Sequence, residues 1–147
     1  MALIHSDVAA ERKIRLLIES RLEDVPLVGL AIRGLLKDAV ADAVLLYQIE
    51  VAVVEAVNNV IKHAYGLEAD HDVEITVSLR PDFVLFMICD TGETKTCFDP
   101  VGFQFDPRDI AHLPENGMGI PLMKNIMDEV SYGRRDEKNC LTLRKCL

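Results

Sequence analysis

Glu55, Asn59 and His63 recur at i, i+4 and i+8, which lines up a carboxylate, a carboxamide and an imidazole along one face of a helix. An acceptor-only carboxylate there could orient or deprotonate a hydroxyl or water attacking a γ-phosphate. The neutral Asn59 oxygen suits a Mg²⁺ ion whose charge a triphosphate already matches. Ala52 and Ala56 flank the stripe, and their small side chains reserve space for a ligand. Taken alone, a solvated helix face is the plainer account of such a stripe.

Two further stations change that balance. Cys89-Asp90-Thr91-Gly92 closes an apolar run, so the Asp90 carboxylate is expected to be partly desolvated and able to accept an adenine amino group. Gly92 would let backbone approach the base, although a strand ending in Asp-x-Gly is also an ordinary turn. The third station is Glu115-Asn116-Gly117-Met118-Gly119-Ile120. Glycines opening a helix aim free N–H groups at an anion, with the macrodipole behind them. Lys124 follows within the same helix and could assist a phosphate. Each signal is weak by itself; their order within one small chain is what carries weight.

The elements that must position these residues follow from periodicity. Lys13–Glu19 alternates as a strand with Ile14, Leu16 and Ile18 on its buried face. A helix is predicted from an Asp24 cap, with Pro26 in its first turn. From Val25 to Val40 the segment is apolar nearly all round, with Arg33 and Lys37 as its main polar stripe. The long helix starts at Asp42, buries Leu46, Ile49, Val53, Val57, Val60, Ile61 and Ala64, and ends near Tyr65, with Gly66 as a left-handed cap. Val73–Leu79 alternates as a strand, and Phe83–Cys89 is apolar almost throughout, as for a central strand; the two form a hairpin. Residues 93–116 have no sustained period, and a loop of that length is characteristic of a lid over a site. Ile120–Val130 reads as a helix. Glu129–Tyr132 and Cys140–Cys146 read as a last pair of strands, joined across Gly133–Asn139. The order β-α-α-β-β-loop-α-β-β is that of an α+β two-layer sandwich, its sheet covered by helices on one face.

With 147 residues, half of them hydrophobic, the chain is sized for one globular domain. A formal charge of −8 argues against nucleic acid or an anionic membrane as the main partner. A nucleotide remains compatible, held by local backbone donors and a metal. Cys89, Cys97, Cys140 and Cys146 show no Cys-x-x-Cys spacing, so zinc is not expected and the cysteines are expected as thiols of a cytoplasmic protein. The N-terminus lacks the pattern of a signal peptide, and no apolar run is read as long enough to span a membrane.

At this point a resemblance emerges. Glu55-Ala-Val-Asn-Asn59-Val-Ile-Lys-His63-Ala-Tyr65 resembles the N box of the Bergerat-fold (GHKL) ATPases, the class shared by gyrase, histidine kinases and anti-sigma factor serine kinases. Asp90-Thr-Gly92 resembles that family's first glycine box and Gly117-Met-Gly119-Ile its second. Arg21–Leu27 and Met127–Tyr132 are similar to the anti-sigma kinase branch. The resemblance implies a mixed, mostly antiparallel sheet, ATP and Mg²⁺ as cofactors, and residues 93–116 as the ATP lid. It implies Glu55 as catalytic base, Asn59 as Mg²⁺ ligand and Asp90 as adenine reader. Gly117 and Gly119 would form the phosphate loop, and His63, Gly92, Met118, Ile120 and Lys124 would lie about the nucleotide. It further implies a homodimer that binds a sigma factor and phosphorylates a serine or threonine of an anti-sigma-factor antagonist. One departure stands out. The second glycine of the usual Asp-x-Gly-x-Gly is Thr94 here, and Phe98-Asp99-Pro100 follows a longer Glu93–Cys97 insert. That departure keeps a second reading open: a non-catalytic binding module whose shape is gated by nucleotide.

Overall fold

A computed structural model describes residues 10–92 and 119–147, the side chains of Gly119 and Ile120 excepted. The lid segment 93–116, Thr94 within it, and Gly117 and Met118 lie outside the described residues. The elements are β1 (Arg12–Glu19), α1 (Val25–Leu36), α2 (Ala43–Asn59), β2 (Asp72–Leu79), β3 (Phe83–Asp90), α3 (Gly119–Ile126), β4 (Glu129–Arg135) and β5 (Lys138–Cys146). A 3-10 turn, Leu22–Asp24, precedes α1, and a π-helical turn, Val60–Ala64, continues α2. The strands form one sheet in the order β1-β2-β3-β5-β4, and all four pairings are antiparallel. The most apolar strand is thus the central one, as its sequence requires.

Alternation decides which side of the sheet is buried. Val73, Ile75, Val77, Val84, Phe86, Ile88, Leu141 and Leu143 are closed to solvent or nearly so and share a core with Ile32, Leu36, Ile49, Val53, Val57, Ile61 and Met123. The helices therefore lie on one face of the sheet, giving the expected α+β sandwich. At the centre of the helical layer, α2 contacts α1, α3, β3 and β5. Gly29 lets α1 come close, since a Cβ there would stand 3.1 Å from Val54 Cγ2. Beside that contact Arg33 grips Glu50 with both ends of its fork, at 2.7 and 3.0 Å.

Several local expectations are corrected. Ala43–Ala64, 22 residues, is long and apolar enough by length and composition to cross a membrane. The reason lies in its position as the core helix, which needs a broad apolar arc to serve two helices and two strands at once. Asp24 does precede α1, yet its side chain caps nothing, because the 3-10 turn runs straight into the helix with Asp24 already in helical conformation. Asp42 does cap α2, accepting from the N–H groups of Val44 and Leu45. The third helix ends at Ile126, short of the predicted Val130, because the Asp128 N–H pairs with the Arg144 carbonyl and begins the β4–β5 ladder. That hairpin closes on Asp136 and Glu137 alone, both at positive φ (50° and 64°), with Arg135 opposite Lys138. Finally, Cys89 and Cys140 are not thiols. They face each other in the β3–β5 register and are disulfide-bonded, Cα to Cα 4.2 Å, while Cys146 is free.

Candidate functional site

Asp90 is the last residue of β3 and lies directly opposite Asn139 of β5. Both are buried, at 4% and 2% exposure. The Gly92 N–H donates to Asp90 Oδ1 at 2.9 Å, and Asn139 Nδ2 donates to the same oxygen at 3.0 Å and to the Gly92 carbonyl at 3.0 Å. Among the described residues nothing donates to Oδ2. Burial pushes the Asp90 carboxyl above its ordinary range, and the bonds from Asn139 and Gly92 pull it back in part. The desolvation expected from the sequence is therefore present. One oxygen is fixed, and the other is available to an incoming donor such as an exocyclic amine.

Glu55 and Asn59 sit one turn apart on α2, both half-buried, and His63 is half-buried in the π-helical turn that follows. Ala52 and Ala56 are fully enclosed by protein, so the open space reserved beside Glu55 is filled, which corrects the sequence reading. The π turn has another consequence. It brings the Ala64 carbonyl so close to Gly92 that a Cβ on Gly92 would lie 2.4 Å from that oxygen. Gly92 is thus required by the end of the α2 segment, whereas the sequence suggested that it makes room for a base. The helix carrying Glu55 and Asn59 is locked in this way to the turn carrying Asp90. Interruptions of this kind in an α-helix are frequent at functional sites.

A cleft of about 500 Å³ opens at that junction, lined by Ala64, Tyr65, Gly66, Glu68, His71, Thr91 and Gly92. A neighbouring cleft of about 460 Å³ reaches Asp90 and is bordered by Asp70, Asp72, Glu74 and Lys138. Neither is lined by Glu55 or Asn59. Of the third station, Gly119 and Ile120 open α3 and Lys124 is exposed in its last turn. Lys124 is five positions after Gly119, about 7.5 Å along a helix axis. Among the described residues no three His, Cys, Asp or Glu side chains gather as a metal site. An amide oxygen such as that of Asn59 is a donor that Mg²⁺ accepts alongside phosphates and water.

Two residues of this region were not legible as site residues. Asn139 is the second residue of the last strand, and only the β3–β5 register sets it against Asp90. Tyr65 was read as the end of a helix. Its hydroxyl donates to the Asp72 carbonyl at 2.7 Å and accepts the Thr91 N–H at 2.9 Å, and its ring stacks on His71 at 4.4 Å. The signal for Tyr65 was its place within the box, while Asn139 gave none.

The chain is 28% identical over 122 residues to the serine-protein kinase RsbW of Bacillus cereus (strain AH187), covering 80% of this chain and 75% of that one. It is 27% identical over 121 residues to the serine-protein kinase RsbW of Bacillus mycoides (strain KBAB4), with the same coverage. The fold matches the crystal structure of the RsbU and RsbW domains of Rv1364c from Mycobacterium tuberculosis with a TM-score of 0.63 at 15% identity, over 91% of this chain and 32% of that one. The family model for the histidine kinase-like ATPase domain matches residues 18–145. The resemblance drawn from the three boxes therefore holds along almost the whole length, and the chain belongs to the histidine kinase-like ATPase domain family.

Proposed function

We propose that the chain is an ATP-dependent serine/threonine protein kinase that acts as an anti-sigma factor in a partner-switching module, binding a sigma factor and phosphorylating an anti-sigma-factor antagonist. The observation that carries this reading is the buried Asp90, one oxygen fixed by two donors and the other left for an adenine amino group. The names of the RsbW relatives support the reaction class. In this reading Asn59 provides the protein oxygen for Mg²⁺, and Glu55 orients and deprotonates the attacking hydroxyl. His63, Gly92, Gly117, Met118, Gly119, Ile120 and Lys124 surround the nucleotide, the glycine-opened helix meeting its phosphates with backbone N–H groups. ATP supplies the phosphoryl group when bound. Exposed Leu27, Leu30, Val44 and Tyr47 on α1 and α2 support a covered surface, for which a homodimer is the proposed occupant.

A second reading, a nucleotide-gated binding module without phosphate transfer, is favoured by Thr94 at the place of a glycine. Incubation with labelled ATP and antagonist-like proteins, scored for phosphoserine, separates the two. Glu55→Ala should still bind nucleotide while transfer falls by roughly 10²–10⁴-fold, the usual worth of a positioned base. Transfer that is undiminished in that variant removes Glu55 from the mechanism. A wild-type protein that binds ATP yet never transfers phosphate establishes the module reading.

A further inference from the structure

We propose that Asn139 is the positioning residue for base selection, holding Asp90 so that one carboxylate oxygen faces an exocyclic amine; this role rests on the nucleotide-site reading above. The argument begins with donor counting. A carboxamide nitrogen has two N–H groups, and Asn139 directs one to Asp90 Oδ1 and the other to the Gly92 carbonyl. Both partners are acceptors, so the amide must present its nitrogen here and its orientation is fixed. Oδ1, already taking the Gly92 N–H, then has both of its in-plane lone-pair directions occupied. The carboxylate cannot exchange its two oxygens without breaking two hydrogen bonds, so Oδ2 stays presented to the cleft that reaches Asp90.

The same amide also holds the Gly92 carbonyl, and Gly92 is wedged against Ala64. Asn139 therefore joins three parts: the end of β3, the turn after it, and the helix bearing Glu55 and Asn59. An apolar residue in its place would leave Asp90 with the Gly92 N–H alone. The carboxylate could then rotate, and an acceptor at the purine 6-position would no longer be rejected by a fixed, acceptor-only oxygen. This predicts a selectivity effect, which a general loss of packing does not produce.

The test compares Mg²⁺-bound ATP with inosine triphosphate, which carries a carbonyl where adenine carries its amine. Binding is measured by calorimetry on the full chain, its Asn139→Leu variant and its Asn139→Ser variant. Wild type should prefer ATP. Asn139→Leu should lose about ten-fold of that preference, the effect of one misdirected charge-assisted hydrogen bond. Asn139→Ser, with one donor remaining, should fall between, and it carries the test if the leucine variant does not fold. Equal weakening of both nucleotides, or an unchanged ratio in the variants of a wild type that does discriminate, overturns the role of Asn139 alone. Absence of ATP binding by wild type overturns the nucleotide-site reading together with it.

Discussion

The hydroxyl of Tyr65 takes the backbone N–H of Thr91 at 2.9 Å while giving its own proton to the Asp72 carbonyl at 2.7 Å. One side chain at the end of the α2 segment thereby fastens the exit of β3 to the entrance of β2. Removing that oxygen takes two hydrogen bonds from a part-buried junction while the packing of the ring persists. Tyr65→Phe is expected to lose about 0.5–1.5 kcal/mol of stability, the net worth of a typical hydrogen bond where water can take its place. For a chain of this size that is a fall in Tm of about 2–4 °C per kcal/mol. Thermal melting measures it, and a melting point equal to wild type would show that the junction does not depend on this bond.

Asp90 gives a prediction whose sign depends on direction. Its folded carboxyl titrates above its ordinary range because burial penalises the charge. Between the unfolded and the folded pKa the native state holds more protons, so stability falls as pH rises through that window and is level above it. Above that window the ionised carboxylate is therefore a standing cost to the nucleotide-free protein. Asp90→Asn should melt higher than wild type above the window without nucleotide, and the gap should close as pH falls through it. The same variant should lose the stabilisation that ATP confers on wild type. Melting across pH, with and without Mg-ATP, checks both halves.

Gly92 and Gly133 form a matched pair of substitutions. A Cβ on Gly92 would stand 2.4 Å from the Ala64 carbonyl oxygen and 2.9 Å from its carbon, which are backbone atoms. A Cβ on Gly133, in β4, would meet nothing within 4 Å. Gly92→Ala is expected to cost about 1–3 kcal/mol as the π turn is pushed away. Gly133→Ala should be neutral or stabilising by up to about 1 kcal/mol, since glycine is unfavourable inside a strand. Urea unfolding of the two variants distinguishes them; equal values would mean that the Ala64–Gly92 contact is relieved without strain.

These cases explain what could be read beforehand. The strands, the long helix and their order were legible because burial on one face imposes a period that the residues themselves carry. Asp42 and Gly66 were legible because a capping oxygen and a positive φ (56° at Gly66) select few residue types. The Asp136–Glu137 turn was not, because both residues take positive φ without the glycine or asparagine that usually announces it. Asn139 and the Cys89–Cys140 pairing were hidden for a different reason. Each depends on which residue of β5 faces which of β3, a relation between segments 51 residues apart at the cysteines. The boxes marked the helix and the strand end, while the contact that joins them through Ala64 and Gly92 required three dimensions.

The Cys89–Cys140 bond sits one residue inward from Asp90 and Asn139 on the same two strands. By the chain-entropy account, closing a loop of that length in the unfolded state is worth up to about 4 kcal/mol. Reduction with dithiothreitol should therefore lower Tm, and a Cys89→Ala/Cys140→Ala variant should melt at one temperature whether or not reductant is present. Nucleotide affinity should change much less than stability. The β3–β5 ladder runs on through Asp90 and Asn139 by backbone pairing, and the bonds that orient Asp90 come from Asn139 and Gly92, not from sulfur. Mass spectrometry of the alkylated protein reports the state of the thiols beside each melt. If full reduction leaves Tm unchanged, the covalent clip contributes nothing beyond what the paired strands already provide.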